Sequence, residues 1–101
     1  MKTIPLPIPR SKLEPCRWCG RRRCVEADKE GSEFRLYSLC EQAMVAWDLY
    51  VCKDDIRTGW GTLAKVVKEW NEMNSPAERK SARIAYPSLF NPQRLGTFRL
   101  R

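Results

Sequence analysis

The feature that most limits the fold of this chain is a set of five cysteines, with no histidine, in 101 residues. Cys16, Cys19 and Gly20 form a C-x-x-C-G knuckle. This spacing is typical of zinc sites, because two thiolates two residues apart can reach one metal while N–H groups of the turn donate to their sulfurs. The glycine permits the left-handed backbone conformation of such a turn. An odd cysteine count without a secretory signal favours metal ligation or free thiols over a complete disulfide framework.

A structural zinc site needs four ligands, and without histidine the other two must come from the remaining cysteines or from a carboxylate. Cys52 lies one turn after Asp48 on a predicted helix that already carries Trp47 and Val51, so it is more typical of a core position than of a ligand. Cysteines buried as small apolar residues, or paired by oxidation, are the alternative. A redox role is disfavoured, because that motif usually follows a strand in a βαβ unit. The expected zinc ligands are Cys16, Cys19, Cys24 and Cys40.

The rest of the sequence begins with a proline-rich segment and predicts several helices. Prolines at positions 5, 7 and 9 favour a polyproline II arm, which either packs through its isoleucines and leucine or stays mobile. Helical spacing from residue 36 onward would allow one helix from about residue 33, but Ser38 and Glu41 form a capping box. The favoured start is therefore near Leu39, with residues 34–37 extended. Apolar residues at i, i+3, i+4 and i+7 from Leu63 predict a further amphipathic helix.

A serine, proline and glutamate at 75, 76 and 78 supply the start of one more helix, which Pro87 ends. The predicted fold class is α+β and helix-rich, with an N-terminal zinc knuckle and short hairpin followed by about three helices. Residues 1–15 form the arm and residues 16–101 a single small domain. Within it we expect the cysteine knuckle at 16–40, helices at 39–53, 61–74 and 76–86, and a tail at 87–101.

Charge is concentrated at both ends of the chain. Residues 1–24 carry seven Lys and Arg against one acid, residues 25–58 four against eight, and residues 59–101 eight against three. A polyanion is the commonest partner for such basic ends. Arginine forks match phosphate oxygens, and an exposed Trp18 could stack on a base. The alternative is that Trp18 covers the metal site and the arginines are solvated or pair with the acids of residues 26–33.

A second basic surface is expected on the last two helices, whose tight turn at Asn74 and Ser75 is loosely similar to a helix-turn-helix. A plain helical hairpin with a charged outer face fits the turn better, because the turn has no glycine. The candidate nucleic-acid-binding residues of both surfaces are Arg17, Trp18, Arg21, Arg22, Arg23, Lys65, Lys68, Arg79, Lys80 and Arg83.

Catalysis is not expected from this sequence. Without histidine, acid–base chemistry would need perturbed carboxylates or lysine, and the chain has no phosphate-binding glycine loop. No apolar run reaches the length of about 20 residues needed to cross a bilayer, so we expect a cytoplasmic protein without a membrane or small-molecule partner. The alternative to nucleic-acid binding is a protein-interaction module that modulates or inhibits a host protein, with Trp60 and Tyr50 as anchors.

The segments EPCRWCG and AMVAWDLY resemble the small zinc-ribbon proteins of the phage restriction-alleviation (Lar-like) type. That family combines a Pro-Cys-x-x-Cys-Gly knuckle, a short hairpin, a second C-x-x-C and a helix carrying Ala-x-x-Ala-Trp. Cys16 and Cys19 match the first knuckle, Cys40 stands for the second pair, and Cys24 has no counterpart. The resemblance ends before residue 53. It implies bound zinc and a phage or mobile-element origin, and we expect a small zinc-stabilised, nucleic-acid-binding regulatory or accessory protein.

Overall fold

The computed structural model describes residues 2–41, 43 and 57–87. Three antiparallel strands form one sheet in chain order: β1 (Lys2–Ile4), β2 (Val25–Glu30) and β3 (Glu33–Ser38). A 3-10 turn spans Arg10–Lys12. Two helices follow the sheet in the described residues, α1 (Leu63–Met73) and α2 (Pro76–Ala85). The knuckle lies in the connection from the 3-10 turn to β2.

Strands β2 and β3 form a tight hairpin. Glu30 pairs with Glu33 at its end, and the turn between them contains Gly31, whose φ of 60° is the left-handed value that glycine adopts without strain. Side chains alternate between the two faces of the sheet. The buried face carries Val25, Ala27, Leu36 and Ser38, and the opposite face carries Glu26, Asp28, Arg35 and Tyr37.

Each helix begins at a capping side chain. Thr62 accepts a hydrogen bond from the backbone N–H of Lys65 at the start of α1, and Ser75 accepts one from Glu78 at the start of α2. These caps satisfy backbone donors that the first helical turn leaves unpaired. Pro76 occupies the first turn of α2, where its missing N–H costs nothing. The capping segment predicted at residues 75–78 is therefore confirmed.

The core lies between the sheet, the knuckle and α1. Helix α1 packs on β3 and buries Val66 and Trp70 completely. Burial of large apolar side chains is the main stabilising term for a chain of this size. None of the described helices combines the length and apolar character needed to cross a membrane. The buried core residues are Leu13, Cys16, Trp18, Val25, Ala27, Leu36, Ala43, Val66, Trp70 and Ala82.

The structure is α+β, but the prediction of a helix-rich fold with about three helices is wrong: the described residues form a three-stranded sheet and two helices. The sheet is larger than predicted because residues 2–4, assigned to the proline-rich arm, pair with β2 from Ile4↔Ala27 to Lys2↔Lys29. The prolines follow the paired residues, so the ladder loses no N–H donor. Residues 33–38 are extended, as favoured. The predicted helix at 39–53 and tail at 87–101 fall largely outside the described residues.

Candidate metal centre

Four cysteines from three parts of the chain meet at one point. The sulfurs of Cys16, Cys19, Cys24 and Cys40 all lie within 4.8 Å of one another. The Sγ atoms of Cys16 and Cys40 are 3.6 Å apart, and those of Cys19 and Cys24 are 3.4 Å apart. All four are free thiols. The four residues predicted from the sequence as ligands therefore lie within binding distance of one metal ion.

The local backbone explains how the knuckle presents two of these thiols. The N–H of Gly20 donates to the carbonyl of Cys16 at 2.7 Å, and the N–H of Cys16 donates to the carbonyl of Arg21 at 3.0 Å. Gly20 has a φ of 72°, the left-handed conformation that the knuckle requires after its second cysteine. Cys16 and Cys19 consequently project from the same side of one closed turn.

The hairpin brings the other two thiols to the knuckle. Cys24 immediately precedes β2, and Cys40 follows β3 by two residues. The N–H of Leu39 donates to the carbonyl of Cys24 at 2.9 Å, which continues the pairing of the two strands as far as the cysteines. The N–H of Ala43 then donates to the Cys40 sulfur at 3.2 Å. A backbone N–H directed at a sulfur is a frequent outer contact of metal thiolates.

Cys16 is fully buried, and the hydrogen bonds of the cluster are directed at its sulfur. Hydrogen bonds from Cys19, Cys24 and Cys40, joined by one from Ser38 at 3.3 Å, hold the pKa of the Cys16 thiol far below its ordinary value. Hydrogen bonding to Cys16 raises the pKa of both Cys24 and Cys40, because a thiol that donates to a thiolate retains its own proton. Four ionised thiols at these distances would repel one another, and a divalent cation offsets that repulsion.

The donor set and its spacing fit a tetrahedral metal. Zinc bound to four thiolates has Zn–S distances of about 2.3 Å, which places neighbouring sulfurs roughly 3.8 Å apart. The observed separations of 3.4 and 3.6 Å lie close to that value. Four soft sulfur ligands favour zinc over magnesium or calcium, which prefer oxygen. With all four positions taken by protein, such a site is structural, since a catalytic site leaves one position open.

Two of the predicted nucleic-acid-binding residues face the protein interior. Trp18 is only 2% exposed and lies beside Tyr86, with ring centroids 5.9 Å apart, so a base cannot stack on it in this position. The guanidinium of Arg17 lies over the Trp18 ring at 4.9 Å and forms an ion pair with Glu78 at 3.4 Å. The backbone N–H of Arg17 donates to Asn74. These contacts fasten the knuckle to the turn between α1 and α2.

The other three arginines of the knuckle lie on the surface. Arg21, Arg22 and Arg23 are all exposed in the loop that joins Cys19 to Cys24. The Nε of Arg22 donates to the carbonyl of Leu13 at 2.7 Å. Asp28, an acid considered as a partner for these arginines, instead pairs with Arg35 at 2.7 Å. The loop therefore presents a compact positive surface next to the cysteines.

Sequence reasoning missed Arg10 as part of this surface. Its guanidinium donates to the carbonyls of Arg22 and Val25 at 2.9 and 2.8 Å, which fixes the backbone of the loop that carries Arg21, Arg22 and Arg23. Arg10 lies in the 3-10 turn, far enough along the chain that no local spacing links it to the knuckle. A run of basic residues on both sides of the cysteines is the one signal that could have indicated it.

The predicted basic surface of the helices is less continuous. Arg79 donates to the carbonyl of Asn74 at 2.7 Å and forms an ion pair with Glu14 at 3.2 Å, so it joins α2 to the segment before the knuckle. The sequence pointed to Asn74 only as part of the turn between the helices and did not point to Glu14, although both fix this junction. Four of the predicted basic residues are exposed on the helices: Lys65, Lys68, Lys80 and Arg83.

The opposite face of the sheet holds a polar cluster around Asp28, which is 5% exposed. Its carboxylate accepts hydrogen bonds from Arg35 at 2.7 Å, Thr3 at 3.2 Å and Tyr37 at 3.3 Å. The Arg35 guanidinium also lies over the Trp60 ring at 4.6 Å. Trp60, a proposed protein-binding anchor, is thus half-buried under Arg35, and the other anchor, Tyr50, lies outside the described residues.

Comparisons with protein-family models, with curated proteins and with solved structures find no match for this chain. The resemblance to the restriction-alleviation proteins accordingly stays a prediction from the N-terminal motif. The properties of the site rest on the geometry of the four cysteines and of the charged residues around them.

Proposed function

We propose that this chain is a small zinc-stabilised module that binds nucleic acid through the arginine loop, residues 20–23. The support for zinc is the convergence of four thiols within 4.8 Å, with spacing that suits a tetrahedral ion. The observation that carries the nucleic-acid role is the position of Arg21 and Arg23, exposed on the loop between two of the ligands. Metal ligation on both sides restricts this loop, so its guanidinium groups lose little conformational entropy on binding phosphate.

The charge distribution around the loop also supports a polyanionic partner. Neither Arg21 nor Arg23 forms an ion pair or side-chain hydrogen bond with another described residue. Arg10 adds positive charge behind the loop, while Glu26, Asp28 and Glu33 lie on the sheet. Contacts of this kind bind phosphate without reading sequence, so we expect affinity for many sequences and a regulatory or accessory role.

Metal content tests the first half of the proposal. We expect purified protein to carry about one zinc per chain by elemental analysis. Replacing Cys24 by serine should remove the metal. Stoichiometric iron with an absorption band in the visible, or no metal with all four thiols reactive, would contradict zinc.

Nucleic-acid affinity measured against salt tests the second half. Fluorescence anisotropy with labelled single-stranded and duplex DNA and RNA should show binding that weakens steeply with salt. The double replacement Arg21→Ala with Arg23→Ala should weaken binding about tenfold or more and lower the duplex salt slope by about 2. Lys2→Ala, which removes one positive charge from the sheet edge, is the matched control. The proposal is overturned if wild-type protein binds none of these probes at low ionic strength, or if the double variant binds like wild type.

A further inference from the structure

An apolar groove separates the N-terminal segment from α1, and none of its described lining residues belongs to the arginine loop. Its volume is about 530 Å³. The N-terminal side is lined by Ile8, Pro9 and Lys12, and the helical side by Leu63, Ala64, Val67 and Lys68. Apart from the two lysines, every described side chain in the lining is aliphatic or proline. The groove is open to solvent and is not an enclosed cavity.

Three hydrogen bonds hold the two sides of the groove in place. Trp70 Nε1 donates to the carbonyl of Glu14 at 2.9 Å, and the N–H of Glu14 donates to Asn71 Oδ1 at 2.8 Å. Asn71 Nδ2 in turn donates to the carbonyl of Lys12 at 3.3 Å. The groove is therefore preformed, and a partner does not have to order it on binding.

The groove also has a definite charge. Lys12 and Lys68 are exposed, one on each side, and neither forms an ion pair with any residue that the structure describes. No carboxylate of the described residues lines the groove. An apolar surface flanked by two ammonium groups is complementary to a ligand that carries apolar groups between negative ones.

We propose that this groove binds an acidic segment of a partner protein, with a leucine, isoleucine or valine side chain in the groove and flanking carboxylates beside Lys12 and Lys68. This interaction goes beyond nucleic-acid binding by the arginine loop and does not depend on it. A peptide fits better than a nucleic acid for two reasons. Among residues 2–41, 43 and 57–87, no aromatic ring lines the groove for a base to stack on, and no side-chain amide or hydroxyl lines it to read a base edge.

Synthetic peptides test this assignment on the full chain. The probe is a short fluorescent peptide that alternates aspartate with leucine, and two matched peptides replace either aspartate by lysine or leucine by serine. We expect only the acidic leucine peptide to bind, since both the charge and the apolar contact are required. Amide shifts in a ¹⁵N–¹H spectrum should be concentrated at Ile8, Lys12, Ala64 and Lys68.

Charge variants of the groove complete the test. Ala64→Glu adds a carboxylate at an exposed helical position and should weaken the acidic peptide about tenfold or more by like-charge repulsion. Lys68→Ala should weaken it less, and Lys80→Ala, on α2, should not change it. The Arg21→Ala, Arg23→Ala double variant should bind the peptide normally, which separates this proposal from the nucleic-acid role. Failure of the acidic peptide to bind, or equal binding of that peptide by Ala64→Glu, would overturn the proposal. It would also be overturned if single-stranded DNA displaced the peptide and Ala64→Glu weakened the binding of that DNA.

Discussion

The indole Nε1 of Trp70 donates a hydrogen bond to the backbone carbonyl of Glu14 at 2.9 Å, across 56 positions of sequence. Trp70 is completely buried, and Glu14 is half-buried at the edge of the core. The contact joins α1 to the segment that leads into Cys16. The packing of the helix and the position of the metal knuckle therefore depend on each other.

Replacing Trp70 by phenylalanine should lower the free energy of unfolding by about 1–3 kcal/mol. The change removes the donor to the carbonyl of Glu14, a part-buried contact, and opens a small void in the core. Urea unfolding followed by far-ultraviolet circular dichroism measures the loss. Ile84→Ala is the control, because Ile84 is 72% exposed and its truncation should stay within about 0.5 kcal/mol of wild type.

Metal removal should destabilise the whole domain. Cys16 belongs to the core, and a cation bound by the four cysteines would hold the knuckle to the hairpin. A strong chelator should lower the thermal midpoint by on the order of 10 °C or more, and added zinc should restore it. Cys16→Ser should behave like the chelated protein. Cys52→Ser, at a position outside the described residues and outside the expected ligand set, is the matched control, and an unchanged midpoint on chelation would contradict a structural metal.

Loss of the cap of α2 should have a smaller effect. Ser75→Ala removes the side-chain acceptor for the N–H of Glu78 and should cost about 0.5–2 kcal/mol. Ser81→Ala, at an exposed position within the same helix, should cost nothing measurable or stabilise slightly, because alanine has the higher helix propensity. Denaturant midpoints of the two variants give the comparison. Equal midpoints would mean that the cap contributes nothing.

Tyr37 should ionise above its ordinary pKa of 10.0. Partial burial is the main cause, and the Asp28 carboxylate adds to it by repelling the phenolate and by accepting the hydrogen bond from the phenol. The folded state therefore keeps this proton more tightly than the unfolded state. The associated stability is complete below pH 10 and is lost as the pH rises through the folded pKa. Ultraviolet titration of Asp28→Asn should show a lower Tyr37 pKa than wild type, and an unchanged value would contradict the role of Asp28.

The sequence allowed the cysteine ligands to be proposed because ligand type and short spacing are local properties. Cys16 and Cys19 follow from the knuckle, and Cys24 and Cys40 are the next thiols within reach of a hairpin. The start of α2 was likewise predictable, since Ser75, Pro76 and the glutamate at N3 act on neighbouring backbone groups. These features depend on residues that are close in the chain.

Features that depend on distant partners were not predictable in the same way. Residues 2–4 form a strand because β2 offers them a partner, and their own composition with the following prolines indicated an arm. The sequence was compatible with two placements of the Trp18 side chain, outward toward a ligand or inward over the cysteines. Its burial depends on Tyr86 and on the α1–α2 turn, which reach it across more than fifty positions. The third strand of the sheet and the buried position of Trp18 thus both depend on tertiary contacts between distant residues.

Cys40 follows the β2–β3 hairpin, whereas the other three cysteines of the cluster precede it. This order determines when each thiol becomes available to a metal ion during synthesis. The first twenty-four residues can emerge from the ribosome and present three thiols to a zinc ion, but the fourth arrives only after both hairpin strands have been made. Closure of the coordination shell and pairing of β2 with β3 would then happen together. The ion would then fasten the sheet before the helices that cover it have left the ribosome.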